Sequence, residues 1–530
     1  MKYNFDERID RTGRGQAKWE PRGLKEMFGD ENLLSFWVAD MDFRVAPPIR
    51  DALIEAAEHG CIGYTGLDPE FYEAYINWQK RRNGWEPDAL WFRYTPGVVP
   101  AINLLLLAMT NEGDEILIQR PVYYPFTDSI VKQKRTVVSS SLVNKNGKYE
   151  IDFEDFEKKA SSPKCTAFIL CNPHNPVGRV YTEEELRKMG EICNRHGVFV
   201  IADEIHSDLI AKGHKHVVYA KLGKEFEQNC AVCHAPSKTF NLAGLQQATA
   251  FCRDRALLDR LEKTLRDAGV VSGNIFGMTA TEAAFAHGDA WLDAMLDYVA
   301  EGYAIFREEM EARLPGAVLT PLEATYLGWL DLRAWGLTTA QLMERTRAAG
   351  VEFTPGTFFG ADAGEGAHVL ALFLVHGQRG QHRPVGDVVH AVGDVPEYVR
   401  EAEHDDEPVV CEPEVREQYE EERAACHRAD EHGRLVLAPG AVDVVDDEAG
   451  DWVVERVEDA QHGEHHARRR EHADGQGEDV GEVVQQGVGL KGVEHIPAHG
   501  AEAEEVFIAL FQLCHALSSP LRRISRLCRG

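Results

Sequence analysis

Three short apolar runs constrain this chain more than any other feature: Glu115-Ile116-Leu117-Ile118, Thr166-Ala167-Phe168-Ile169-Leu170 and Val198-Phe199-Val200-Ile201-Ala202. Turn residues bound each run, and stretches with helical periodicity separate them. A strand that is apolar at successive positions buries both faces, as in a parallel sheet with helices on both sides. Between the second and third runs, Glu183 to His196 reads as a helix, with Thr182 as N-cap and Gly197 as its stop. Up to about Gly366 the pattern therefore predicts an α/β fold with a mostly parallel sheet. No internal repeat is evident.

Composition narrows the function classes. The 530 residues hold 57 Lys+Arg and 87 Asp+Glu, a formal net charge of −30. Such acidity argues against a nucleic-acid binder and against binding to an anionic membrane surface. No run of about 18 apolar residues predicts a transmembrane helix, and Met1 to Glu7 lacks an apolar signal core. Cysteines number 11, an odd count in a long chain, which fits reduced thiols in the cytoplasm. Cys230-Ala231-Val232-Cys233 has a redox-like spacing, but no second pair follows at zinc-site separation. It reads as structural, and no metal is expected.

The segment richest in chemistry is Ala235-Pro236-Ser237-Lys238-Thr239-Phe240-Asn241-Leu242-Ala243-Gly244. A lysine of this kind is usually mere surface, but two other segments raise its standing. Asn172-Pro173-His174-Asn175-Pro176 follows the second run, and Asp203-Glu204-Ile205-His206 follows the third. Both fall at strand C-terminal ends, where open α/β sheets bind ligands. One amine, one buried carboxylate, one amide and a phosphate cradle are the needs of pyridoxal 5'-phosphate (PLP) chemistry. The lysine forms a Schiff base, the carboxylate keeps the pyridine protonated, and the amide donates to the phenolate oxygen. Thr95-Pro96-Gly97-Val98-Val99-Pro100, before a helix from Ala101 to Met109, suits the phosphate.

Together these strings resemble the PLP-dependent fold-type I enzymes of the class I/II aminotransferase superfamily, in the cystathionine β-lyase or C–S lyase (MalY/PatB-type) branch. Asp10-Arg11-Thr12-Gly13, Lys18-Trp19, Phe36-Trp37-Val38-Ala39-Asp40-Met41-Asp42-Phe43, Gly63-Tyr64-Thr65-Gly66 and Pro121-Val122-Tyr123-Tyr124-Pro125-Phe126 carry the likeness further. It covers about residues 3–366 and implies a seven-stranded, mostly parallel sheet. It also implies that Lys238 is the Schiff-base lysine and proton shuttle, that Asp203 holds the pyridinium and that Asn175 binds the phenolate oxygen. Tyr123, ahead of Tyr124, would stack on the ring. The Val98 and Val99 backbone and the Ser237 hydroxyl would cradle the phosphate, and Tyr64 would reach the phosphate of a neighbouring subunit in a homodimer. Bland readings stand beside these: a strand-end cap for Asp203, a turn residue for Asn175, packing for Tyr123 and Tyr64, mere small size for Ser237. His206 either tunes the ring oxygen or is structural. Gln246 occupies a place where many relatives carry a phosphate-binding arginine.

After Gly366 the texture breaks. The last 164 residues hold 14 of the 22 histidines and a single lysine, Lys491. The family's carboxylate-clamping arginine, expected soon after Thr354-Pro355-Gly356-Thr357-Phe358-Phe359-Gly360, is missing, and no arginine follows until Arg379. A reading-frame slip near Gly366, a natural disordered extension and a metal-binding module are the three readings of the tail. The slip is favoured because the likeness and the composition end together. The expected organisation is 1–44 contributing to a small domain, 45–285 as the large PLP-binding domain, 286–380 as an incomplete small domain and 381–530 as the tail. The expected activity is β-elimination from cystathionine or another cysteine S-conjugate, a small amino-acid substrate, giving a thiol, pyruvate and ammonia. Transamination on the same scaffold and a cofactor-binding chain with impaired catalysis are the alternatives.

Overall fold

The computed structural model describes residues 3–7, 9–360, 368–373, 442–446 and 452–456. The chain forms two compact units, Met1–Glu403 and His404–Gly530. In the first, seven strands make one sheet: β1 Phe92–Thr95, β2 Glu115–Ile118, β3 Thr136–Ser139, β4 Cys165–Cys171, β5 Phe199–Asp203, β6 Cys230–His234 and β7 Ala248–Phe251. Their order across the sheet is β1-β7-β6-β5-β4-β2-β3. Only β7 runs against its neighbours; every other pairing is parallel.

Burial explains the apolar runs. Phe168, Leu170, Val200 and Ala202 pack into one core cluster, while Ala167, Ile169, Phe199 and Ile201 pack into a second. Successive residues of β4 and β5 thus serve opposite faces, so neither face tolerates a polar alternation. The same alternation separates Cys230 from Cys233, which join different clusters. Both thiols are free and buried, in keeping with a structural reading of that pair.

The helix α2, Glu183–His196, has the predicted limits. Thr182 and Glu185 form a reciprocal capping box, and Gly197 takes the left-handed conformation, φ 71°, that ends it. The helix α1, Val98–Met109, starts three residues before the predicted Ala101. Pro100 does not prevent this, because a helix needs no N–H from its first turn.

A second, three-stranded antiparallel sheet orders β8 Val318–Leu319, β9 Leu327–Asp331 and β10 His368–Phe373 as β8-β9-β10. The N-terminal segment pairs Leu34–Ser35 in parallel with Val351–Glu352. In the second unit, Val442–Asp446 and Trp452–Arg456 pair antiparallel, the one described part of the tail; their β-branched residues favour extended backbone. The other tail readings, with Arg379, lie outside the described residues. Among the described residues no helix is long and apolar enough to cross a membrane.

Candidate active site

Parallel strands end on one side of their sheet, and their following turns meet there. The turns after β1, β2, β4, β5 and β6 line one cavity of about 210 Å³. β1 leads through Gly97, φ 124°, into α1. That backbone conformation favours glycine, and the first amides of a helix have no helical acceptors, so the start of α1 offers free donors. Val98 and Val99 line the cavity there. β2 leads to Tyr123, β4 to Asn175, β5 ends at Asp203, and β6 leads to Ser237 and Lys238 in the short helix Pro236–Thr239.

Lys238 Nζ donates to the Ala39 carbonyl at 2.7 Å, and Tyr326 donates to the same oxygen at 3.2 Å. Burial holds the Lys238 amine below the ordinary lysine range; Asp40 and Asp203 oppose that shift and Lys18 adds to it. The Ala39–Asp42 segment is fixed from both sides. Fully buried Lys18 donates to the Asp40 carbonyl and to Asp42 Oδ2, each at 3.0 Å. Asn241, just past Lys238, accepts from the Met41 amide and donates to the Met41 carbonyl.

Asp203 is 4% exposed. Burial pushes its carboxyl up to about 7, against the Ile205 amide that donates to Oδ1 at 3.1 Å and the charge of Lys238, while Glu204 raises it further. A carboxylate this deep gains most from a cation delivered by a ligand. Asn175 Oδ1 and His206 Nδ1 are buried without hydrogen-bond partners. Burial and Lys238 take His206 down to about 3, so its ring is neutral near pH 7. Tyr123 lines the cavity, whereas Tyr124 packs beside Phe358 and Phe359.

The structure therefore brings eight of the nine predicted residues together: Lys238, Asp203, Asn175, His206, Tyr123, Ser237, Val98 and Val99. Tyr64 is apart, fully exposed on the loop before the helix Pro69–Asn83. Orphaned polar atoms and a desolvated carboxylate at one end, with helix-start amides and a hydroxyl at the other, fit a phosphorylated pyridine aldehyde reaching Lys238. Among the described residues no group of three metal-ligating side chains occurs.

Some contributors escaped the sequence reading. Asp208 accepts from Trp78 Nε1 and from Thr239 Oγ1, both at 2.9 Å, and so anchors the residue next to Lys238. Ala39 holds Lys238, and Tyr326 shares its carbonyl, across long stretches of chain, which leave no local pattern. Only the Ala39-Asp40 string hinted at such a role.

The family described as aminotransferase class I and II matches residues 31–367. The chain is 42% identical to cystathionine β-lyase PatB of Bacillus subtilis over 364 residues, 68% of this chain and 93% of PatB. It is 31% identical to protein MalY of Escherichia coli over 62% of this chain and 84% of MalY. The crystal structure of cystalysin from Treponema denticola, which contains pyridoxal 5'-phosphate, is similar with a TM-score of 0.71. That likeness has 30% identity and covers 75% of this chain and 100% of cystalysin.

Proposed function

The chain belongs to the class I and II aminotransferase family, and from that premise we propose that it is a PLP-dependent carbon–sulfur β-lyase. It cleaves cystathionine or related cysteine S-conjugates to a thiol, pyruvate and ammonia. The observation that carries this reading is the meeting of Lys238 and a cation-seeking Asp203 in one cavity. Bound PLP supplies an aldehyde that takes up the amino acid and a pyridinium that draws electrons from its Cα.

The chain's own residues do the rest. Lys238, its basicity lowered by burial, removes the Cα proton in its uncharged form. Asp203 stays ionised against the pyridinium N–H and keeps that proton in place. Asn175 would donate to the phenolate oxygen, Tyr123 would pack against the ring, and neutral His206 would stand by the same oxygen. Val98 and Val99 amides and the Ser237 hydroxyl would bind the phosphate. The thiolate departs from Cβ, and the remaining three-carbon fragment hydrolyses to pyruvate and ammonia.

Tyr64, exposed with nearby Ile62, is read as reaching the phosphate of a second subunit in a homodimer. The large domain is read as 45–285, and 1–44 with 286–380 as the small one. Among the described residues, seven free cysteines, six of them buried, support a cytoplasmic setting.

Incubation with PLP and cystathionine, without a keto acid, tests the activity. Pyruvate should form catalytically; turnover that requires an added keto acid would instead identify an aminotransferase. One observation favours a second reading, a cofactor-binding chain that holds its substrate weakly. The strand His368–Phe373 occupies the edge of the β8-β9-β10 sheet without an arginine in its sequence. A long-wave absorbance band that appears on adding PLP, with no pyruvate formed, would identify that case.

A further inference from the structure

Gln247 stands immediately before β7 and is 3% exposed. Its side chain has no hydrogen-bond partner at either Oε1 or Nε2, both buried, and the residue lines the cavity. Buried amides are nearly always paired, so one left free at both ends marks a ligand or a bound water.

The strand register shows which end of the cavity it serves. Ala248 of β7 pairs with Thr95 of β1, so Gln247 continues that ladder beside Pro96, next to Gly97 and the start of α1. Asp203 ends β5, two strands away from β7, about 10 Å at the usual strand spacing. Gln247 therefore belongs with the helix-start amides and not with the carboxylate. Gln246 is exposed. The lining contains no arginine, and Lys238 is its one lysine. The Gln247 amide also lies close to Gly273, where a Cβ would come within 2.6 Å of Gln247 Oε1.

We infer that Gln247 is a ligand of the cofactor's phosphate, donating through Nε2, in a cradle built from neutral donors without a cationic side chain. The inference rests on the PLP reading above. An amide N–H to a dianion is a charge-assisted bond, and its loss is felt only by ligands that carry the phosphate.

Equilibrium dialysis of the full chain against PLP and, separately, against pyridoxal, which lacks the phosphate, tests it. Q247E keeps the shape but offers a negative acceptor. It should raise the PLP Kd about 30-fold or more, and Q247M, which suits a buried position, about tenfold. Both should leave the pyridoxal Kd within about twofold. Unchanged PLP binding in Q247M, or equal weakening of PLP and pyridoxal, would overturn the inference. A water-filled or merely structural role gives one of those two results. If the wild-type chain binds no PLP, the proposed function falls together with it; if only the variants match the wild type, this inference alone falls.

Discussion

The seven-stranded sheet and the three-stranded sheet are assembled in opposite ways. The first takes its strands from one stretch, residues 92–251, and sends five parallel turns to a single cavity. The second recruits His368–Phe373 to an edge beside Leu327–Asp331, from sequence just past the change in composition. A chain assembled this way holds its cofactor residues in one region and draws a strand of its second sheet from another. The contrast teaches that cofactor binding and substrate capture are separable, and each can be broken without the other.

The largest effect should come from the centre of the first region. Lys238→Ala removes the proposed general base and should lower pyruvate formation about 10³-fold or more. Borohydride treatment with PLP should add mass to the peptide carrying Lys238 in the wild type and not in the variant. Asp203→Asn removes the charge held for the pyridinium; it should cost about 2–5 kcal/mol, read as a PLP Kd raised about 30-fold or more by dialysis. A PLP Kd unchanged in that variant would place the pyridine nitrogen elsewhere.

Without cofactor, the same carboxyl becomes a liability. Its folded value is raised to about 7 above an unfolded value near about 3.9, so the native state binds the extra proton. The Asp203 contribution to apo-protein stability should therefore fall by about 1.4 kcal/mol per pH unit from about 4 toward about 7 and be flat above that. Urea titrations at several pH values check this, and Asp203→Asn should flatten the slope. Thr239→Val cuts the Asp208 tether and should reduce kcat about three- to tenfold with PLP affinity kept. The smallest effect belongs to the second region. If β10 provides no cationic clamp, cystathionine and its α-amide should differ less than about tenfold in kcat/KM. A difference of about 10² or more would show that a clamp arrives from elsewhere in the chain.

Legibility followed the same divide. The run Glu115–Ile118 and the helix Glu183–His196 are where the pattern placed them, because both-face burial and a capping box are local signals. Asn175 and Asp203 were legible as strand-end residues for the same reason. The start of α1 was misplaced by three residues because Pro100 reads as a breaker, although it sits in a first turn. Gln247 was invisible: nothing in Leu245-Gln246-Gln247 says which of the two amides is buried until β7 pairs with β1. The hold of Ala39 on Lys238 joins residues 199 apart, and no periodicity encodes such a contact.

What the sequence determined alone was the layered sheet, the caps of α2 and the order of the chemistry-bearing turns, since these follow from hydrophobic period and from backbone preferences of single residues. Tertiary structure decided the protonation of that chemistry. Whether Asp203 is a common acid or one raised to about 7, and whether Lys238 is a surface ammonium or a weakened base, depends on desolvation and on charges brought close by folding, which no linear spacing contains.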